Sequence, residues 1–150
     1  MISPKKFNTY LMLKLPSAYL AGVRLSLIND LECVVKVRHR WINQNPFKSM
    51  FWAVQGMAAE LSTGALVMQK IKQTGKSISM LVAQNNATFT KKATGRITFL
   101  CTDGAVVDDA INKAMDSGEG QTFWMTAVGK NEDGIEVSTF NFEWTIKVKQ

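Results

Sequence analysis

NPFKSMFWAVQGMAAELSTGALVMQ, residues 45–69, holds only two charged residues, Lys48 and Glu60, in a run that is otherwise apolar, small or amide-bearing. About twenty such residues at 1.5 Å each would span a bilayer. Gln55, Glu60, Ser62, Thr63 and Gln69 interrupt the run, however, and an ionisable group at mid-bilayer is costly. The stretch therefore predicts no membrane span but a helix over residues 47–72, apolar nearly all round because the rest of the chain covers it. Gly56 and Gly64 lie eight residues apart on one face of that helix, each costing about 1 kcal/mol relative to alanine. Their presence implies close packing there.

The covering elements are strands. CVVKVRHRW (33–41) alternates Cys33, Val35 and Val37 with Lys36, Arg38 and Arg40, the period of a half-buried strand whose basic face is solvated. AGVRLSLINDLE (21–32) adds a short strand expected to pair with it. SMLVAQNNATFTKKA (79–93) places Leu81, Ala83, Ala87 and Phe89 on one face, and a glycine-containing turn leads into RITFLCT (96–102). QTFWMTAVGK (121–130), the turn NEDG and IEVSTFNFEWTIKVK (135–149) form a hairpin with Phe140, Phe142, Trp144, Ile146 and Val148 on its core face. Ser3 and Pro4 open a first helix that Pro16 ends, within a lead-in of residues 1–20. Residues 104–118 insert a second helix that closes on Gly118. The order predicts an α+β chain in the hotdog arrangement, an antiparallel sheet wrapped around one long central helix. An open edge of such a sheet calls for a second copy, so a homodimer or a tetramer is expected.

A chain of 150 residues with 46% apolar and 20% charged content suits one domain, 1–150, with a real core. Two cysteines, Cys33 and Cys101, have neither metal-site nor disulfide-framework spacing, so no metal is expected and the reducing cytoplasm is the expected compartment. The N-terminal apolar stretch is broken by Lys14 and Pro16, which argues against a signal peptide. A net charge of +6 and a pI near 9.4 suit phosphate-bearing partners, coenzyme A among them. Nucleic acid is not expected, because the aromatics of the last strand alternate as a core face instead of interleaving with cations. The single histidine, His39, reads as a strand-end residue, and without a GxSxG motif it forms no Ser-His-Asp triad.

Asn45 and Glu60 are separated by fifteen residues, with the apolar helix between them. This stretch, to Gly64, resembles the signature of hotdog acyl-CoA thioesterases of the phenylacetate-degradation (PaaI-like) branch, where an Asn precedes a loop, a His-Gly-Gly step and a helix bearing a carboxylate. ATFTKKATGRITFLC and KNEDGIEVSTFNF are similar to that family's later strands and last hairpin. The likeness is closest to its uncharacterised members with Ala59, Glu60 and Gly64 on the helix.

The resemblance implies hydrolysis of an acyl thioester without a cofactor, coenzyme A being part of the substrate. Glu60 would serve as general base or nucleophile, with Asn45 or Gln55 orienting water or carbonyl. Phe51, Trp52 and Ala53 stand where the family has His-Gly-Gly, so the oxyanion donors would be backbone N–H groups at the start of the same helix. Gly64 would lie against the substrate, and Lys91 and Lys92 would meet coenzyme A phosphates. The alternative expectation is a non-catalytic hotdog module that binds an acyl or aromatic ligand or serves as a dimeric scaffold.

Overall fold

The computed structural model describes residues 1–150. In chain order the elements are α1 (Pro4–Lys14), α2 (Pro16–Leu20), β1 (Arg24–Ile28), β2 (Cys33–Arg38), a 3-10 turn (Trp41–Asn43), α3 (Trp52–Thr74), β3 (Ile78–Phe89), β4 (Arg96–Cys101), α4 (Gly104–Ser117), β5 (Gln121–Lys130) and β6 (Glu136–Val148). The strands form one antiparallel sheet in the order β1-β2-β4-β5-β6-β3. It curves around α3, which packs on β1, β2, β4, β5 and β6 and leaves β3, one of the two edge strands, largely outside that contact. This is the expected hotdog arrangement.

The helix begins at Trp52, not at residue 47. Asn45 Oδ1 accepts the N–H groups of Phe47 and Ser49 at 2.9 and 3.2 Å, and Lys48 adopts φ 59°. Gln44 bridges to Met50 across this loop. An Asn side chain that satisfies the backbone locally competes with helix, and here it wins until residue 51. At the other end Gly75, at φ 67°, caps α3 in the left-handed conformation that glycine adopts without strain. Pro16 ends α1 as expected, but it also opens α2 as its first residue, where a missing N–H costs nothing.

Both faces of the core follow the hydrophobic periods. Val35, Val37, Ile97, Phe99, Met125, Phe140 and Ile146 point inward from the sheet onto Ala58, Ala59, Ala65 and Leu66 of α3. Burying each large side chain contributes about 1.5–3 kcal/mol. The short alanines let the helix approach the sheet. The buried Lys70 ammonium pairs with Asp108 at 2.8 Å, tying α4 to α3.

One expected face is corrected. Leu81 and Ala83 do not share a face with Ala87 and Phe89, because a bulge between Val82 and Gln84 shifts the pairing of β3 with β6 by one residue. A one-residue shift exchanges the two faces of a strand. Met80 and Val82 therefore lie inward before the bulge, opposite Ile146 and Trp144, and Ala87 lies inward after it, opposite Phe140. Leu81 is exposed.

Candidate active site

Glu60 sits on the face of α3 that looks toward β6. One turn before it is Gly56, within 3.4 Å of the Phe140 ring if a Cβ were added. One turn after it is Gly64, where a Cβ would stand 3.1 Å from Trp144 and 3.8 Å from Glu60 Oε1. Trp144 is buried there, its indole N–H donating to Thr63 Oγ1 at 2.9 Å, while Thr63 Oγ1 donates to the Glu60 carbonyl oxygen at 2.9 Å. Gly64 thus lets Trp144 and the Glu60 carboxyl close on the helix. The space beside it is filled by the indole.

The Glu60 carboxyl forms no ion pair, and only the residue's backbone is hydrogen-bonded. Burial among apolar groups raises its pKa above the ordinary 4.5. A carboxyl in that state is a better proton acceptor near neutral pH than an exposed one.

The start of α3 supplies donors. Phe51 caps the helix without a side-chain bond, and its carbonyl takes the N–H groups of Val54 and Gln55 at 3.0 and 3.4 Å. The Trp52 and Ala53 N–H groups find no acceptor in the chain. Together with the helix dipole they form an electropositive helix end.

Beside that end is a cleft of about 470 Å³, whose walls include Asn45, Phe51, Trp52, Gln55, Lys91 and Lys92. Six of the nine residues expected from sequence are gathered here. Ala53, Glu60 and Gly64 do not line it. Trp52 and Glu60 are two helical turns apart, about 12 Å along the axis.

Asn45 and Gln55 are both engaged within the chain. Asn45 spends its side chain on its own loop, donating to Ser49 Oγ at 2.9 Å and accepting from Phe47 and Ser49. Gln55 is buried, its Oε1 accepting from Ser138 Oγ at 2.7 Å and its amide N–H reaching the Met50 carbonyl at 3.5 Å. Both shape the cleft wall without presenting a free polar atom to Glu60. Lys91 and Lys92 are exposed, and Lys92 Nζ donates to the Phe47 carbonyl at 3.2 Å. Sequence reasoning missed Trp144, Thr63 and Ser138 as partners of the site. Trp144 was legible only as a core residue, since its indole partner depends on sheet register.

A second cavity, about 540 Å³ and mostly apolar, lies farther along the same helix. Met68 and Ile71 of α3 line it with Phe7, Tyr10, Ile78 and Met80. Three or more metal-ligating side chains converge nowhere in the chain, and no helix is long and apolar enough to cross a membrane.

A family described as a domain of unknown function, DUF4442, matches residues 4–146. The chain belongs to this family. No curated relative matches the DUF4442 chain. Among solved structures it is similar to PA5026 from Pseudomonas aeruginosa, a protein of unknown function described as a probable thioesterase. The identity is 17%, the TM-score 0.83, and 99% of each chain is covered. OLEI01261 from Chlorobaculum tepidum TLS, of unknown function, is 16% identical at a TM-score of 0.84, covering 97% of this chain and 94% of that one. A mutant of the thioesterase PA1618 from Pseudomonas aeruginosa is 13% identical at a TM-score of 0.74, covering 99% and 96%. At these identities the likeness establishes the hotdog fold of the DUF4442 chain.

Proposed function

We infer that the protein hydrolyses an acyl thioester, acyl-CoA by preference, with Glu60 as general base or nucleophile. The observation that carries this reading is the unpaired, half-buried carboxyl of Glu60 on an apolar helix face, with a pKa raised by burial and no cation to neutralise it. The unengaged Trp52 and Ala53 N–H groups supply the complementary half of the chemistry. As the thioester carbonyl becomes tetrahedral, its oxygen gains negative charge, which two amide donors at a helix start stabilise.

Direct contact of a base and an oxyanion donor with one carbonyl requires each within about 3 Å of the reacting atoms. The 12 Å helical separation, roughly two turns, is too long for Glu60 and Trp52 of one chain. A second copy paired along the β3 edge brings its own helix start toward Glu60, so the working unit is a homodimer with shared sites. Open edges favour such pairing. The apolar cavity at Met68 and Met80, about two turns beyond Glu60 on α3, suits the far end of an acyl chain. Lys91 and Lys92 line the cleft as exposed cations, which suits contact with coenzyme A phosphates. The unbridged thiols of Cys33 and Cys101, opposite each other on β2 and β4, suit a reducing cytoplasm.

The test is hydrolysis of short, medium, long and aryl acyl-CoAs by the purified protein beside its Glu60→Gln variant. Turnover by the parent that falls by about 100-fold or more in the variant, as loss of a positioned base requires, is the expected result. A second reading is favoured by the bulky side chains of Phe51 and Trp52 at the helix start: a module that binds an acyl or aromatic ligand without cleaving it. Saturable binding of the panel without turnover would select that reading.

A further inference from the structure

At the end of the sheet where β2 leaves and α3 begins, several large apolar side chains project into solvent. Trp41 is 82% exposed, Phe47 69%, Leu20 65% and Ile42 58%. Exposed apolar residues scattered singly need no explanation. These are held together on a rigid frame. Asn43, itself buried, accepts the Arg40 N–H at 2.8 Å and donates to the Ala21 and Arg38 carbonyls at 2.9 and 2.8 Å, fixing the 3-10 turn against the end of α2. Asn45 fixes the loop that carries Phe47 and Lys48 in the same way. The side chains are therefore presented outward by satisfied backbone.

Along the chain, the segment that carries them is charged with one sign. No carboxylate occurs between Glu32 and Glu60, a span that contains Lys36, Arg38, Arg40 and Lys48. In the fold, Glu132 of the β5–β6 connection accepts the Arg96 N–H at 2.8 Å and faces Arg38, which leaves Arg40 and Lys48 as the cations that flank the apolar tips. Asp30, Glu32 and the acids of α4 sit toward the opposite end of the sheet.

We propose that this end of the molecule docks on an anionic lipid surface, with Trp41, Ile42 and Phe47 entering the headgroup boundary and Arg40 and Lys48 meeting lipid phosphates. Trp and aliphatic side chains flanked by Lys and Arg are the composition that settles at a membrane interface. Each nearby cation adds attraction that salt screens. One further feature favours lipid. The 3-10 turn follows β2, on the far side of the sheet from β3, so pairing of two copies through β3 leaves Trp41 and Ile42 uncovered. An apolar acyl substrate is itself enriched at such a surface, yet the docking does not depend on catalysis.

The test is flotation of the full chain with vesicles of phosphatidylcholine alone or mixed with phosphatidylglycerol, at low and high salt. The parent is expected to float with the anionic vesicles at low salt and to be released at high salt. A Trp41→Ala/Ile42→Ser double variant, its fold checked by circular dichroism, is expected to lose about tenfold or more in apparent affinity, as withdrawal of two apolar side chains requires. A Phe47→Ser variant should weaken binding independently. No flotation of the parent with anionic vesicles at low salt, or unchanged flotation of the double variant, would overturn the proposal. So would a fall in the double variant's mass by light scattering without vesicles, which would assign the patch to a contact between copies.

Discussion

Glu60 governs how the protein responds to pH. The folded chain holds its proton more tightly than the unfolded chain, since burial raises its pKa above 4.5. Its contribution to stability is therefore complete below the ordinary range and is lost as pH rises through the raised value. Glu60→Gln, which avoids that ionisation, is expected to be more stable than the parent at pH 7 and to lose the advantage near pH 4, measured by urea unfolding at both. Equal differences at the two pH values would contradict burial as the cause. In the parent, kcat/KM is expected to rise with pH through the raised Glu60 value, because the base acts when deprotonated. The residue was legible in sequence as the lone carboxylate of an apolar run. Asn45 was only half legible: its spacing marked the loop before the helix, but the side chain is spent within that loop because an Asn satisfies nearby N–H groups first.

The fit between α3 and β6 depends on which glycine is replaced. A Cβ at Gly64 would press Trp144 at 3.1 Å, and the indole is fixed by its bond to Thr63. Gly64→Ala is expected to cost about 1–3 kcal/mol through overpacking, more than the roughly 1 kcal/mol of helix propensity it gains. Gly56→Ala, whose Cβ would meet Phe140 at an ordinary 3.4 Å, is expected to be neutral or stabilising. Denaturant midpoints of the two variants separate these outcomes, and a stable Gly64→Ala would remove the packing account of that glycine. The hairpin β5–β6 was legible at this scale because Phe140, Phe142, Trp144 and Ile146 alternate without interruption. The faces of β3 were not, since the bulge near Ala83 adds one residue to the strand with no mark in composition.

Across the whole molecule, the order of elements was enough to read the hotdog arrangement, because one long apolar helix demands a sheet around it. How the two halves of the candidate site meet was not legible. The two turns between Glu60 and the helix start were legible from their spacing along one helix; how a second copy would close that distance was not. Pairing through β3 is expected to fail in a Leu81→Glu variant, which puts a charge on the exposed face of the edge strand, clear of the core. Light scattering should then report a monomer, and circular dichroism an intact fold. Thioester turnover is expected to fall with the dimer.

The central claim, that each site joins Glu60 of one copy to the helix start of the other, is tested most directly by mixing two inactive variants. One is Glu60→Gln. The other is Trp52→Pro, which removes a helix-start N–H at a position proline tolerates, after a Phe51 ψ of 132° that suits a residue before proline. Trp52→Ala controls for the lost indole. Refolded together, half of the dimers are mixed and each regains one intact site, so about a quarter of the parent's turnover should return. No recovery in verified mixed dimers would place both groups in one chain and contradict the shared site.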